Sequence, residues 1–226
     1  MGILIAVDGV DASGKQTHTE LMAEHLLKSG RKVRKLSFPM YESESSALVK
    51  LYLSGKFGEN ADDVDAYTAS TFFAADRFAT YRTDWKKDYD DSDTILIADR
   101  YTSSNMIHQA SKIGDFAEKD KFLDWLRDFE FNIYKIPKPD ITIFLDMPPE
   151  YGKLLISGRN NKFSGNEKLD IHERDFSYLE KSYENAKYVA DKFGWKTVHC
   201  VKNGEIRTID DIQAEMVEIV ENIIGR

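Results

Sequence analysis

The chain has 226 residues, of which 42% are hydrophobic and 31% are charged, and this composition predicts a single globular domain over residues 1–226. Its formal net charge of −8 argues against a nucleic-acid partner, which would need a broad basic face, but a few local cations suffice for a phosphate pocket. A single cysteine, a short apolar start without a basic leader and the lack of a membrane-length apolar run predict a cytoplasmic protein with no disulfide, signal peptide or membrane partner.

The first predicted element is a strand, Ile3–Val7, which leads into a glycine-rich loop. Gly9 is followed at the P-loop spacing by Gly14 and Lys15, and a helical pattern then begins. The N–H groups of such a loop point at phosphate oxygens, and the helix N-terminus and the lysine add positive charge. This pattern predicts a nucleoside triphosphate site, rather than a simple turn between a strand and a helix. The residues expected at the triphosphate are Gly9, Asp11, Ala12, Ser13, Gly14, Lys15, Gln16 and Thr17.

The P-loop departs from its usual pattern at Gln16, which replaces the Ser or Thr that normally holds Mg²⁺. Thr17 is no simple substitute, because one helical step rotates a side chain by about 100°. The side-chain carbonyl of Gln16 can ligate the metal or a bound water, and Asp11 is the other candidate within the loop. We expect Mg²⁺ to accompany the triphosphate.

Four further apolar segments recur along the chain with helical stretches between them. Because these segments do not alternate strictly with polar residues, they are typical of strands that are buried on both faces. The pattern predicts an α/β fold, with a five-stranded parallel sheet that carries helices on both faces. The segments are Val33–Phe38, Thr94–Ala98, Ile141–Leu145 and Thr197–Val201.

Polar residues follow the predicted strands at the sheet edge where ligands of open parallel sheets bind. Asp99 and Arg100 come directly after the third strand, where the acid can hold Mg²⁺ through water and the arginine can bind a phosphate through two N–H groups. In a predicted helix, Phe73 lies four residues before Arg77, so that this pair can stack a base and clamp its phosphate. The alternatives are a surface ion pair for Asp99–Arg100, a core position for Phe73 and a capping or solvated role for Arg77.

The stretch from 157 to 168 is polar, contains two glycines and shows no apolar periodicity. It is either an ordinary surface loop or a lid that brings Arg159 and Lys162 over a bound phosphate. In a P-loop enzyme we favour the lid, because such loops commonly close over phosphoryl-transfer sites. Further along, apolar residues at three- and four-residue steps from Ile209 to Ile223 predict a final helix.

Taken together, these motifs resemble the thymidylate kinase family of P-loop nucleoside monophosphate kinases, and the resemblance spans nearly the whole chain in the family's order. It implies the family's fold with a short lid, and transfer of the γ-phosphoryl group of ATP to dTMP to give dTDP and ADP, with Mg²⁺ as cofactor and a homodimer as assembly. The matching pieces are Gly9–Lys15, Phe38–Tyr41, Phe73–Arg77, Asp99–Tyr101 with Ser104 and Asn105, Pro137–Asp140 and Leu145–Glu150.

The resemblance also implies roles for single residues. Lys15 and the loop amides would hold the ATP phosphates, Asp11 would contact the acceptor 3′-hydroxyl or the metal, and the loop around Asn203–Arg207 would hold adenine. Catalysis would fall to Lys15, Arg159, Asp99 and Arg100, with Asp11, Gln16 and Asp99 near the metal. At dTMP, Phe73 would stack on thymine, Arg77 would bridge the base and the phosphate, Tyr41 and Arg100 would contact the phosphate, and Phe38, Pro39, Ser104, Asn105, His108, Asp170 and Glu173 would complete the site.

Several residues depart from the family's pattern. Ala12 stands where some relatives carry an arginine, so we expect Arg159 to supply the transition-state cation. Met40 and Tyr41 follow the Phe-Pro pair, where many relatives have an arginine. Recognition of thymine is therefore expected to depend more strongly on Arg77. His108 stands where an aromatic residue often blocks the ribose 2′-hydroxyl.

Two other classes of function stay open from the sequence. One is a deoxynucleoside kinase or another nucleoside monophosphate kinase on the same scaffold. The other is a nucleotide-binding regulator without transferase activity, which the unusual Gln16 keeps open although the guanine-specifying Asn-Lys-x-Asp run is missing. A metalloprotein is disfavoured because the histidines are scattered, and Cys200 is expected to be a small core residue.

Overall fold

A parallel β-sheet forms the centre of the fold in a computed structural model, which describes residues 1–160 and 176–225, without the side chains of 156–160 and 176. Within these ranges the sheet has five strands in the order β2-β3-β1-β4-β5. An antiparallel hairpin, β6–β7, follows the fifth strand. The strands are β1 Ile3–Asp8, β2 Lys32–Ser37, β3 Thr94–Asp99, β4 Ile141–Asp146, β5 Lys196–His199, β6 Val201–Lys202 and β7 Glu205–Ile206.

The predicted α/β fold and its five parallel strands are confirmed, and the strand bounds differ from the prediction by one or two residues. The largest difference is at the fifth strand, which ends at His199 because Cys200 and its neighbours turn into the hairpin. The side chain of Cys200 is fully buried, as expected, and burial raises the pKa of its thiol to about 12.

The strands are connected by helices that cover both faces of the sheet. Two segments with π-helical hydrogen bonding, Tyr81–Trp85 and Asp128–Ile133, directly continue α3 and α6. In the described ranges the helices are α1 Lys15–Lys28, α2 Ala47–Leu53, α3 Ala66–Thr80, α4 Lys86–Asp90, α5 Thr102–His108, α6 Phe116–Arg127, α7 Pro149–Asn160, α8 Phe176–Phe193 and α9 Ile209–Ile224.

One face of the sheet is covered by α1 and α9. Met22 and Leu26 of α1 and Met216 and Val220 of α9 are fully buried against the apolar side chains of β1, β3 and β4. Burying these side chains is the main favourable contribution to folding, at roughly 25 cal/mol per Å² of apolar surface. The predicted final helix is confirmed, although Ile209 at its start is 53% exposed and does not belong to the buried stripe.

The opposite face is covered by α5 and α8 and by the segment that follows α3. Ile107 of α5 packs with Ala186 and Ala190 of α8 over Phe144 of β4. Trp85, in the first π-helical segment, is fully buried with Leu96 and Tyr101. This arrangement leaves the carboxyl ends of the strands open for the site.

β2 forms one edge of the sheet and exposes much of its polar surface. Arg34 donates to Asp84 at 2.7 Å, and Lys35 donates to Glu20 at 3.1 Å. Charged side chains on an edge strand hinder pairing with another chain. Among the described residues, no helix is long and apolar enough to span a membrane.

Of the predicted lid, residues 157–160 continue α7 as a helix, so the loop expected from 157 does not begin there. Residues 161–168 of the lid lie outside the described residues, as do Asp170 and Glu173. The side chain of Arg159 is likewise outside the description.

Candidate active site at the carboxyl ends of the strands

The loop between β1 and α1 has the tight geometry that its glycines predict. A Cβ atom at Gly9 would lie 2.7 Å from Ser13 Oγ and 2.8 Å from the carbonyl oxygen of Leu145, so only glycine fits there. Gly14 adopts a left-handed φ of 86° at the position that begins α1, and Ala12 also has a positive φ of 63°. The loop therefore wraps tightly around the N-terminus of α1, where N–H groups have no helical partner.

Lys15 is folded back onto this loop. Its ammonium donates to the carbonyl oxygens of Gly9 at 2.9 Å and Val10 at 2.8 Å, and its side chain is buried. Burial and the neighbouring Arg100 lower the pKa of Lys15 to about 8, against the opposing effect of Asp11. The loop carbonyls stabilise the ammonium only with partial charges. An anion within its reach would stabilise the charged form of Lys15 further.

Asp11 and Arg100 form an ion pair that joins the P-loop to the end of β3. Burial alone would raise the pKa of Asp11, but the Arg100 guanidinium and the Lys15 ammonium outweigh it and hold that pKa well below its ordinary value. Arg100 also donates from Nη1 to His108 Nε2 at 3.3 Å, since a guanidinium can only donate. Its backbone has a φ of 65°, which is unusual for a residue with a side chain and is typical of functional sites.

Asp99, the last residue of β3, has a buried Oδ1 atom with no hydrogen-bond partner among the described residues. Burial raises the pKa of Asp99 against the opposing charges of Lys15 and Arg100. A buried carboxylate oxygen without a donor is a position for a cation or a water. Gln16, the other expected metal neighbour, is exposed and donates from Nε2 to Glu20 at 3.2 Å.

A cavity of about 190 Å³ opens beside this cluster, and we call it the acceptor pocket. It brings together all the residues predicted at dTMP except Asp170 and Glu173, which lie outside the described residues. It adds two residues that the sequence analysis did not single out, Leu53 and Gln109. The pocket is lined by Asp11, Phe38, Pro39, Tyr41, Leu53, Phe73, Arg77, Arg100, Ser104, Asn105, His108 and Gln109.

Arg77 is buried and is held by a residue far away in the chain. Glu130 accepts from Arg77 Nε at 2.7 Å and from Nη2 at 2.6 Å, and it also accepts from the Thr102 hydroxyl at 2.9 Å. Both charges of this pair are out of solvent, with Glu130 fully buried. The pair neutralises the guanidinium and leaves further N–H groups of its five available to the pocket. A bridge from Arg77 to a phosphate, as expected from the sequence, is electrostatically weakened by Glu130.

The N-terminal half of α5 is hydrogen-bonded to Asp8, the last residue of β1. Asp8 is fully buried, and its Oδ2 accepts from the hydroxyls of Ser103 at 2.8 Å and Ser104 at 2.7 Å. On the same helix, Asn105 donates to the carbonyl oxygen of Ser70 in α3 at 3.2 Å. These bonds lock α5 to the sheet and to α3, so its pocket-facing residues keep a fixed position.

The loop after β2 is held in the same manner by an acid from α3. Asp76 is fully buried, accepts from the Met40 N–H at 2.9 Å and accepts from the Ser45 hydroxyl at 2.6 Å. These bonds fix the loop that carries Pro39 and Tyr41 to the pocket. Tyr41 itself is 50% exposed at the pocket mouth.

The segment expected at adenine is the β6–β7 hairpin. Asn203 and Gly204 form its turn with φ values of 54° and 79°, and Tyr151 of α7 donates to the carbonyl oxygen of Gly204 at 3.2 Å. Arg207 donates to Asp211 and to Glu215, each at 2.6 Å. Arg207 is thus engaged within the hairpin and α9.

Three functional neighbours escaped the sequence analysis for different reasons. Glu130 stands between Phe129 and Phe131 in the second π-helical segment, and nothing in the sequence pairs it with Arg77. Gln109 follows His108 directly, and its buried Oε1 has no hydrogen-bond partner among the described residues. Asp8, an acid at the end of an apolar strand, was the detectable signal, because an acid within a buried strand requires a partner.

The chemistry of the whole arrangement follows from its charges. Cationic Lys15 and Arg100 meet carboxylates of Asp11 and Asp99 at the junction of the P-loop and the acceptor pocket. The two cations can bind one phosphate on the P-loop and another in the acceptor pocket. Phosphoryl transfer needs little covalent assistance from the protein, so this positioning is the chemistry that the arrangement can supply.

Comparison with known proteins gives a consistent result. The sequence model of the family described as thymidylate kinase matches residues 7–205. The thymidylate kinase of Mycobacterium tuberculosis (strain ATCC 25618 / H37Rv) is 32% identical over 183 residues, which cover 80% of this chain and 82% of the relative. That of Danio rerio is 24% identical over 224 residues, which cover 99% of this chain and 92% of the relative. A solved structure of the Candida albicans thymidylate kinase, 21% identical, has a similar fold, with a TM-score of 0.69 over 98% of this chain and 92% of that chain.

Proposed function

Because the chain belongs to the thymidylate kinase family and phosphorylates dTMP to dTDP with ATP, we propose the roles that its own residues play in that reaction. The observation that carries the proposal is the junction of the P-loop and the acceptor pocket through Asp11 and Arg100. A donor phosphate on the loop and an acceptor phosphate at Arg100 would meet there. Such positioning of two reactants is the main source of catalysis in phosphoryl transfer.

On the donor side, the loop N–H groups up to Lys15 that have no partner within the loop hold the phosphates of ATP; those of Gly9 and Ser13 already donate to Asp8 and Val10. The Lys15 ammonium exchanges the carbonyl oxygens of Gly9 and Val10 for phosphate oxygens, which carry a full negative charge. Because the tight loop supplies mostly backbone donors, side-chain changes such as Ala12 and Gln16 leave this function in place.

On the acceptor side, Arg100 and Tyr41 bind the dTMP phosphate. Arg100 is the pocket cation whose carboxylate partner, Asp11, is itself part of the site, whereas the buried Glu130 neutralises Arg77. The phosphate takes the place of Asp11 on Arg100, and the released carboxylate then accepts from the acceptor sugar hydroxyl.

Thymine is read by the opposite end of the pocket. Phe73 stacks on the ring, Arg77 donates to a base carbonyl oxygen, and the buried Oε1 of Gln109 accepts from N3–H. Thymine carries a hydrogen at N3 whereas cytosine does not, so an acceptor at this position selects for thymine and uracil. Ser104, Asn105 and His108 close the pocket around the sugar and base.

The residues present fit Mg²⁺ as cofactor. Mg²⁺ in phosphoryl-transfer enzymes is held by one or two carboxylates, waters and the substrate phosphates, and the buried Oδ1 of Asp99 is a carboxylate oxygen of the site that has no donor among the described residues. Asp11 pairs with Arg100 in the structure and would accept from the acceptor sugar hydroxyl in the proposed complex, and Gln16 donates to Glu20. When bound, the ion supplies charge neutralisation at the β- and γ-phosphates, and Asp99 is its main anchor on this chain.

Two further assignments complete the proposal. The protein works as a cytoplasmic homodimer, for which the apolar side chains that α2 and α3 leave exposed are the candidate contact. These side chains are Leu48, Leu51, Tyr67 and Phe78.

The lid, including Arg159, closes over the phosphates, and Arg159 supplies the transition-state cation that Ala12 cannot.

The test of the acceptor assignment is Arg100→Ala. We expect the KM for dTMP to rise by about tenfold or more, as for loss of a charge-assisted hydrogen bond, while the KM for ATP stays the same. Steady-state kinetics with each nucleotide varied in turn measures both values. Equal effects on the two nucleotides would show that Arg100 does not belong to the acceptor side.

A further inference from the structure

A second cavity, of about 770 Å³, lies between α6, α8 and the segment after α5. It shares no lining residue with the acceptor pocket and is the larger of the two. We call it the side cavity. Its walls include Lys112, Phe116, Lys119, Tyr178, Lys181 and Tyr188.

Lys119 is the unusual residue of the side cavity. Its side chain is 92% buried, since only 8% is exposed, and its ammonium lies 5.3 Å from the ring centre of Phe116 and 5.8 Å from that of Tyr188. Burial lowers the pKa of Lys119, against the opposing charge of Asp120. Across the part of the chain that the structure describes, this ammonium makes no hydrogen bond or ion pair. An ammonium that lies over two rings and makes no hydrogen bond of its own is favourably placed for an incoming anion.

Lys112 adds a second cation with neutral partners. Its ammonium donates to the Tyr52 hydroxyl at 3.0 Å and to the Val64 carbonyl oxygen at 2.7 Å, and it lies over the Tyr52 ring. Burial lowers the pKa of Lys112 to about 8, and the opposing effects of Asp62 and Asp65 do not cancel this shift. An anion in the side cavity would stabilise the charged form of this lysine.

The cavity wall carries charges of both signs. Glu184 and Lys187 pair with each other at 2.7 Å. The wall also carries Lys112, Lys119 and Lys181 together with Asp62 and Glu180, and Asp65 is close enough to act on Lys112. The three ammonium groups give the cavity several points at which an anion can bind.

We propose that the side cavity binds a nucleotide as a second, non-catalytic ligand. The phosphates would lie against Lys119, Lys112 and Lys181, because ammonium groups are the natural partners of phosphate oxygens. The base would lie against Phe116 and Tyr188, which supply ring faces beside the Lys119 ammonium. The volume of the cavity falls in the range of ordinary ligand sites.

The side cavity is connected to the acceptor pocket by two short chains of contacts. Lys112 bonds to Tyr52, whose ring packs edge-on against Phe73 at 6.1 Å. Tyr178 stacks on His108 at 6.2 Å and donates to its carbonyl oxygen at 2.9 Å. A nucleotide that draws Lys112 away from Tyr52 loosens the wall that carries Phe73, so it weakens dTMP binding.

The binding test uses the full chain with both substrate sites filled by a bisubstrate analogue that joins adenosine and thymidine through a polyphosphate. Calorimetric titration with dTTP, ATP or inorganic tripolyphosphate then reports the side cavity alone. We expect nucleotide binding that Lys119→Gln weakens by about tenfold, with weaker binding of tripolyphosphate because it has no ring.

Lys121→Gln is the matched control, since Lys121 lies on the same helix, is exposed and pairs with Glu118. Lys181→Gln, at an exposed position, is the second variant should Lys119→Gln fail to fold. No nucleotide binding to the blocked enzyme, or binding that neither variant weakens, would overturn the proposal. Tripolyphosphate binding as tightly as the nucleotides would overturn the role of the two rings.

The coupling test rests on the proposed function of the acceptor pocket, whereas the binding test does not. We expect the bound nucleotide to raise the KM for dTMP by about fivefold in the wild type and not in Lys119→Gln. An unchanged KM for dTMP at a filled side cavity would reject the coupling. The variant separates this effect from competition at the substrate sites, where the same nucleotides also bind.

Discussion

The donor and acceptor halves of the site are built in opposite ways. The P-loop takes its shape from one continuous segment, 9–15, whose backbone donors come with the fold of the loop. The acceptor pocket takes side chains from five separate parts of the chain, and Glu130, Asp76 and Asp8 hold several of those parts in place. The donor half should therefore tolerate side-chain changes, whereas the acceptor half should depend on buried acids that never touch the nucleotide.

The largest expected effect tests whether a side chain from outside both halves completes the reaction. Arg159→Ala should lower kcat by about 10³-fold, the scale of a cation that acts on the transferred phosphoryl group, and should leave the dissociation constant of dTMP nearly unchanged. Rapid-quench turnover and equilibrium dTMP binding measure the two quantities. Unchanged turnover would remove Arg159 from the mechanism, and a matching loss of dTMP binding would place it in the acceptor half.

Glu130→Gln tests the dependence of the acceptor half on its supports. Removing one partner of a buried ion pair should cost about 3 kcal/mol of unfolding free energy, and the KM for dTMP should rise while that for ATP does not. Denaturant unfolding and kinetics on the purified variant give both values. Glu118→Gln, which breaks the exposed pair with Lys121, is the control and should change stability by less than about 1 kcal/mol.

Equal KM changes for both nucleotides in Glu130→Gln would mean that the variant loosens the whole fold and not the acceptor half. An unchanged unfolding free energy would show that Arg77 finds another partner.

Gln109→Leu tests how the acceptor half recognises thymine. The change keeps the approximate volume of the side chain but removes the acceptor for N3–H, so kcat/KM for dTMP should fall by about tenfold. The preference for dTMP over dCMP should shrink by a similar factor, and the KM for ATP serves as the internal control. If the dTMP to dCMP ratio is the same in the variant, Gln109 does not read the base.

The smallest expected effect lies in the donor half. With the pKa of Lys15 lowered from 10.5 to about 8, its ammonium loses its proton within the range of ordinary assays. As the charged form binds phosphate, kcat/KM for ATP should decline as the pH rises past about 8, whereas bound ATP should protect kcat itself. A pH profile of both parameters measures this. A flat kcat/KM well above that pH would contradict the assignment.

The same contrast explains which parts of the molecule could be predicted from the sequence. The strands and the P-loop are encoded locally, by apolar runs and by glycine spacing, and the structure confirms them within one or two residues. Phe73, Arg77 and Arg100 were predicted from helix spacing and from the end of a strand, most other pocket residues came from the resemblance to a family, and the structure brings most of them together. Their roles stay predictions.

The supports of the pocket could not be predicted, because they are contacts between residues far apart in the chain. The pair of Glu130 with Arg77 spans 53 positions, and no periodicity links the two. The final helix was predicted correctly, but its first residue, Ile209, fits the apolar period and is nevertheless 53% exposed. Sequence periodicity indicates a helical face, and tertiary packing decides how much of it is covered.

The charged edge strand matters where the protein is present at high concentration. An unguarded strand at the rim of a sheet offers its amides and carbonyls to any other chain, and fibres can grow from such contacts. Here Arg34 and Lys35 would have to give up water and their acidic neighbours before a foreign strand could join β2. The side chains that look like ordinary surface charge thus hinder the addition of a foreign strand to β2, at the end of the sheet opposite to β5.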